Sequence, residues 1–444
     1  MLSLLATWDE GGRLRLGQQK RRGAAQINRC HPLARRQGIN QSISCPRLLK
    51  GLRSVLPVSL ALLIGLVLGG CAPSDEFTTQ YFETENPTRL SEWGVLKVSG
   101  GALTLGRDVT VYKLASPLFS DYAGKLRTLS LPEGKSATLD PHTGRFVYPE
   151  GTVITKSFYY RRVGGSARSD YRLIRTAGTF DLDGEHLDLD QMTLLETRIL
   201  VKRSSGWAAS PYVWNEAQSD ATLSPTGALV RAELEHEGSR EAFAYVVPNK
   251  NQCAGCHTLD QSSKEMLPIG PHPKHLVRGL AQSDQLASWV KAGGLSQVDH
   301  AAALQLDVHP HWQDASTGQS ERVLAYLDIN CGHCHSPTGP ADTSGLFLNA
   351  GTLDPIRWGV CKAPIAAGQG TGGAQFGIVP GNPDASIMSY RLSSLDPGAM
   401  MPELGRSLVH EEGLALVRAW IAAMPGHCDF DGSAPPLTLA SIDP

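Results

Sequence analysis

The chain of 444 residues lacks any long hydrophobic run: the longest, residues 55–68, holds 14 residues, short of the roughly 20 that a membrane-spanning helix needs. It also lacks a basic excess where one would matter. Residues 1–70 carry 11 Lys and Arg against 2 Asp and Glu, whereas residues 71–444 carry 30 against 41, a net of −11 that makes nucleic acid a poor partner. Collagen, coiled coil and wholesale disorder are excluded by a composition that is 41% apolar and 19% charged, and 46 Gly with 28 Pro point to many turns rather than a helical array. At this length a single hydrophobic core is outgrown, so two or three domains are expected.

What is present begins with a targeting signal. Arg47, Lys50 and Arg53 precede the short apolar run, the pattern of a cleaved export signal over 47–70. The run ends in Leu68-Gly69-Gly70-Cys71, which resembles the lipobox of bacterial lipoproteins and makes Cys71 the expected lipidated residue. An ordinary export signal with an incidental Cys is the alternative. Ala72 and Pro73 follow rather than Asp, which by the same resemblance favours the outer membrane, with the protein facing the periplasm. Residues 1–46 lie upstream of a complete signal and are expected to be a non-native extension; 71–89 read as a linker.

Of nine cysteines, Cys30, Cys45 and Cys71 lie at or before the lipobox. Four form Cys253-Ala254-Gly255-Cys256-His257 and Cys331-Gly332-His333-Cys334-His335, the spacing of c-type haem attachment. The chemistry requires that spacing, because two thiols add to the haem vinyl groups and the next residue, His, reaches the iron. Two covalently bound haems c are expected, with His257 and His335 as iron ligands. The alternatives are a zinc site drawing four ligands from the two CxxC pairs, or a thioredoxin-like redox pair; a His after both pairs in an exported chain favours haem.

Residues 321–330, just before the second motif, are free of Gly and Pro and put Val323, Leu324 and Leu327 on one helical face. A second amphipathic helix is predicted over about 410–424, with Leu414, Val417, Trp420 and Ile421 on its apolar side. Between them stands Met401-Pro402, inside GAMMPELG. Residues 321–424 resemble a class I cytochrome c domain, in which a Met late in a long loop is the sixth iron ligand. That resemblance implies His335 proximal and Met401 distal, with Met400 the competitor. His/Met ligation favours ferrous iron and leaves no open position, which describes an electron carrier.

A wider stretch, about 90–424, is similar to a family of exported bacterial dihaem c-type cytochromes, in phrases such as SPLFSDYAGKLR, YPEGTVITKSF, YVWNEAQSDA, LDINCGHCHSPTGPADTSGL and MMPELGRS. The resemblance implies an α+β protein: a β-rich domain over 90–250, for which the residue pattern itself predicts a β-sandwich-like fold, then mainly α-helical cytochrome c-like modules over 251–312 and 321–428, and a tail over 429–444. Residue patterns agree for the first part, where β-branched and aromatic runs at 109–112, 151–160 and 196–201 alternate with turn signals. The carboxylate-rich run 181–190 lacks EF-hand spacing and reads as a solvated strand and turn. Tyr159, Tyr160, Tyr212 and Trp214 read as core, with a ligand face as the alternative.

The first motif follows a predicted strand at 243–248 and precedes a short helix at about 283–292. Gly270-Pro271 resembles the segment whose carbonyl supports the proximal His in class I domains. Met266, nine residues after His257, is the nearest thioether for a sixth ligand; His272, His275, His300, His309 and His311 are other donors, and an open iron is the remaining case. Cys361 and Cys428 are left over and, in an oxidising periplasm, are expected to pair, fastening the loop to the closing helix and holding Met401. The expected function is electron transfer with redox protein partners in the periplasm or outer membrane and a lipid anchor in the membrane. The alternatives are a dihaem peroxidase-like oxidoreductase with an open first haem, and a β domain that binds a polymer or partner.

Overall fold

A curled nine-stranded sheet carries the molecule. Its strands are β1 (Val109–Val111), β2 (Gly124–Ser130), β3 (Val153–Arg162), β4 (Arg172–Ile174), β5 (Met192–Arg203), β6 (Gly206–Trp214), β7 (Ala221–Leu223), β8 (Ala228–His236) and β9 (Ser239–Val247). They run β7-β6-β5-β3-β4-β8-β9, with β2 also on β3 and β1 on β2. All pairings are antiparallel except β4 with β8. The computed structural model describes residues 7–8, 14–15, 76–175, 187–277, 284–365 and 367–428. The chain divides into Met1–Cys71, described only as a ladder of Thr7–Trp8 with Leu14–Arg15, and a compact unit Ala72–Pro444.

Side chains alternate across a strand, so the long strands β3 and β5 serve two cores at once. One face sends Val153, Tyr159, Leu126, Ile199 and Val201 into a cluster with Leu90, Trp93, Tyr212 and Trp214. A small sheet (Leu96–Ser99, Ala102–Leu105 and Leu187–Asp188) adds Leu96, Leu103 and Leu187 to that cluster. The opposite face sends Leu129, Ile154 and Leu200 against Cys253, Leu276 and Leu286, and Phe158, Tyr160 and Leu195 against Phe243, Tyr245 and Leu408. Burial on both faces is why neither strand shows a clean alternation of apolar and polar residues. Tyr159, Tyr160, Tyr212 and Trp214 are core residues, each no more than 4% exposed.

Beyond β9 come α1 (Lys250–His257), α2 (Gln285–Lys291), α3 (His300–Gln305), α4 (Gln319–Leu327), α5 (Pro355–Trp358), α6 (Ile387–Ser393) and α7 (Glu411–Ala423). This corrects two fold expectations. The N-terminal region is built on one large branched, curled sheet with only a three-stranded and a two-stranded sheet beside it, rather than on two stacked sheets of a sandwich. Cytochrome c-like helical modules are not formed over 251–312 and 321–428: strand outweighs helix, 27% to 23%, and most of these helices last one or two turns. The physical reason is composition. Between Gly332 and His410 the chain is punctuated by Gly and Pro, which end helices as fast as apolar periodicity starts them. The two helices with sustained periodicity, α4 and α7, do form, within a few residues of their predicted limits. They pack together, with Trp420 Nε1 donating to Ser320 Oγ at 3.1 Å. Gly413 is required where α7 crosses Tyr326, because a Cβ there would lie 2.4 Å from the ring hydroxyl.

Candidate functional site

The first CxxCH is the body of α1. Asn249 caps it reciprocally: its Oδ1 accepts from the Gln252 amide at 2.9 Å and its own amide donates to Gln252 Oε1 at 2.9 Å, which fixes the start of the helix against the end of β9. Cys253 and Cys256 are one turn apart and neither is in a disulfide. His257 Nδ1 lies 2.9 Å from the Leu267 carbonyl, so that nitrogen carries the proton and Nε2 is left to take a metal. Loss of water and nearby Lys156 hold His257 down to about 3 as a neutral imidazole. The carbonyl comes from Leu267, not from the Gly270-Pro271 segment anticipated for it.

The second CxxCH begins in a wider turn, Asp328–Gly332, that continues α4. Gly332 sits where any Cβ would come within 2.8 Å of Asn349 Cα, so the backbone of residue 349 can close over the motif. Cys331 and Cys334 are also free thiols. Burial pushes both up to about 12, the reverse of the lowered thiol of a dithiol redox pair. His335 Nδ1 is 3.3 Å from Ser344 Oγ, and the Ser344 hydroxyl donates to the Ala341 carbonyl at 2.6 Å, so it accepts from the ring. Again Nε2 is left for a metal.

The two motifs are neighbours. The Gln261 amide donates to the Thr338 carbonyl at 2.8 Å, and Thr338 Oγ1 donates to the Leu259 carbonyl at 3.3 Å. Charge on His333 is felt at His257 and charge on Cys256 at Cys334. A second tie runs through Asp328: Lys274 Nζ and His275 Nε2 each lie 2.9 Å from its Oδ2, and the Ala350 amide donates to Oδ1 at 2.7 Å. His275, 7% exposed, is thereby a structural core residue, and His272, 8% exposed, packs edge-on against it. Nothing is described of the His300 side chain.

Met401 lines a small cleft with Tyr326 and Asn330, from the segment that leads into the second CxxCH, and Leu414 of α7. Arg406 holds it there. Its guanidinium donates to the carbonyls of Met401, Leu408 and Arg391 at 3.1 Å and of Ser394 at 2.8 Å. Asp121, at the start of the sheet, accepts from the Ser407 and Leu408 amides at 2.7 and 2.8 Å, and Asn330 Oδ1 accepts from the Phe119 amide at 2.8 Å. Both quoted phrases, SPLFSDYAGKLR and MMPELGRS, are thus halves of one clamp. Sequence reasoning missed Arg406 and Asp121; the available signal was a charged residue inside an otherwise apolar or turn-forming phrase.

Two expectations change. Met266 is bridged to Thr258 and packs in the cluster around Cys253. Its neighbour Leu267 supplies the carbonyl on the Nδ1 side of His257, so the segment that carries Met266 supports the imidazole. Cys361 and Cys428 are disulfide-bonded, with Cα atoms 5.2 Å apart, but the bridge lies past the C-terminal end of α7. Met401 packs beside Leu414, in the first half of that helix, so the bridge fastens the loop to the helix end away from Met401.

The donor set fits haem. Each motif presents two free thiols and one imidazole with Nδ1 engaged and Nε2 directed away from it, and the haem ring would bring four further iron ligands itself. Among the described residues no group of three or more His, Cys, Asp or Glu side chains converges on a metal position, so the two CxxC pairs do not assemble a zinc cage. Cys71, the carboxylates at 181–186 and the tail from 429 lie outside the described residues. No helix among the described residues is long and apolar enough to cross a membrane. No protein-family model, curated protein or solved structure matches the chain.

Proposed function

We propose that this chain is a dihaem c-type electron-transfer protein of the bacterial cell envelope, lipid-anchored at Cys71 and exchanging electrons with redox proteins in the periplasm or outer membrane. The observation that carries the reading is the pair of complete CxxCH motifs, each with free thiols and an oriented histidine, joined by direct hydrogen bonds within one compact unit. The motif and not a cytochrome c fold is what covalent attachment demands. Cys253, Cys256, Cys331 and Cys334 would hold the two haems, His257 and His335 would bind the irons through Nε2, and Met401 would ligate the second iron. Bound haem supplies one-electron iron chemistry; the chain supplies orientation, exclusion of water and a short path between sites. Mass spectrometry of periplasmically matured protein tests this: two haem additions per chain are expected, and one or none refutes it.

The packing of Met266 in the apolar cluster around Cys253 favours a second reading for the first site alone, in which its iron would keep an open position and work as a peroxidase-like or other oxidoreductase centre. An EPR spectrum of the ferric protein separates the two, since an open iron gives a high-spin component and two saturated irons do not.

A further inference from the structure

Asp328 is a carboxylate whose side chain is 3% exposed, at the head of the wide turn that leads into the second CxxCH. Turns of that width are rare within helices and gather at functional sites. Asn330, the other polar residue of the turn that is buried, is spent on structure: its Oδ1 accepts from the Phe119 amide and its Nδ2 donates to the Tyr326 carbonyl at 2.9 Å. Asp328 lies against the backbone that carries the thiols. A Cβ on Gly332, which stands between Cys331 and Cys334, would come within 3.0 Å of Asp328 Oδ1, and the charge of Asp328 is felt at the Cys331 thiol.

The carboxylate is ionised. Burial works against its charge, but Lys274 Nζ, 3.0 Å from Oδ1 and 2.9 Å from Oδ2, and the Ala350 amide on Oδ1 overcome it and hold the carboxyl below its usual range. His275 Nε2 at 2.9 Å and His309 Nδ1 at 3.7 Å complete the surround of Oδ2. Loss of water holds both imidazoles below the ordinary histidine value, His275 down to about 3, so near neutral pH neither adds a full charge. Arg145 feels the carboxylate from further off, its guanidinium being engaged with the Pro268 carbonyl at 3.5 Å. One anion with one cation in contact, Lys274, thus stands behind the second motif. A buried ion pair gains little stability over an uncharged pair of the same shape, so its charge is what sets this pair apart.

Resting on the dihaem reading, we propose that Asp328 tunes the midpoint potential of the second haem: it is a fixed negative charge behind the Cys331–Cys334 backbone that lowers the potential, with Lys274 as its counterweight. Negative charge near an iron favours the ferric state, which carries one more positive charge than the ferrous state, and the effect is strong where water is excluded.

The test is a spectroelectrochemical titration of the full matured holoprotein. A variant with Cys331→Ala and Cys334→Ala, which keeps only the first haem, assigns the two midpoints. Asp328→Asn retains an oxygen for the Ala350 amide and loses the charge; it should raise the second midpoint by about tenfold in the redox equilibrium constant, about 59 mV for one electron, with a smaller shift at the first haem. Lys274→Gln should lower the same midpoint, and Lys274→Arg should leave it unchanged. Lys274, its side chain 21% exposed, also covers a failure of Asp328→Asn to fold. Opposite signs are the result that a merely structural pair would not give, because loosening the turn disturbs the site alike whichever partner is removed. No shift, shifts of one sign or equal shifts at both haems overturn the proposal. Haem content separates the two levels: two haems with unmoved potentials sink the tuning role alone, whereas haem missing from the unmodified protein sinks the dihaem reading with it.

Discussion

The guanidinium of Arg406 donates to four carbonyl oxygens around Met401 and is 6% exposed. Removing it leaves those acceptors buried and short of donors, so Arg406→Gln should cost about 3 kcal/mol in denaturant unfolding. In the holoprotein it should also loosen Met401, read as partial loss of low-spin His/Met character at one haem, an effect that a merely structural arginine elsewhere would not produce. On the dihaem reading, Met401→Ala should abolish that character and lower the potential of the same haem, because it removes the proposed thioether ligand, which would favour ferrous iron. An unaltered spectrum would move the ligand to Met400 or elsewhere. At this scale the sequence was readable where chemistry fixes spacing, as in the CxxCH motifs. It was unreadable where a residue acts through backbone carbonyls: nothing in GRS announces that Arg406 folds back on the loop, and nothing in GCHTLDQSSKEML puts the Leu267 carbonyl on His257.

Elements were legible in proportion to their periodicity. The strands β3 and β5 and the helices α4 and α7 carry enough apolar repeats to be located from sequence alone, although β5 begins four residues before its predicted run. What the pattern does not carry is which strand pairs with which. The long strands are buried on both faces, so their side chains do not mark a solvent side, and a sandwich and a branched curled sheet read alike. The helical-module expectation came from the resemblance, and the Gly- and Pro-rich chain between α4 and α7 does not support it. The Cys361–Cys428 bridge belongs to this scale too. It closes 67 residues of chain, worth about 4 kcal/mol in the chain-entropy model. Cys361→Ser with Cys428→Ser should lower stability by roughly 2–4 kcal/mol in denaturant unfolding while leaving the Met401 spectrum intact, since the bridge sits at the far end of α7.

For the whole molecule, burial of neutral histidines sets the response to acid. His272, His275 and His410 are held down to about 2, 3 and 4, chiefly by loss of water. Their unfolded values lie near 6.5, so the stability they contribute is present above that pH and is lost as pH falls toward the folded values. Asp121 works the other way, pushed up to about 6 by burial, so its contribution falls as pH rises from about 4 to 6. Three groups outweigh one, and the denaturant midpoint should fall steadily between pH 6.5 and pH 4; a flat profile would mean these histidines open to water in solution. The same compactness brings the two CxxCH motifs together although 73 residues separate His257 from Cys331. Whether they hold haem is decided most directly by the intact mass of protein matured in a bacterial periplasm. Two covalent haem additions per chain, both lost when the four motif cysteines are replaced by Ala, is the predicted result; a mass equal to the bare polypeptide would contradict it.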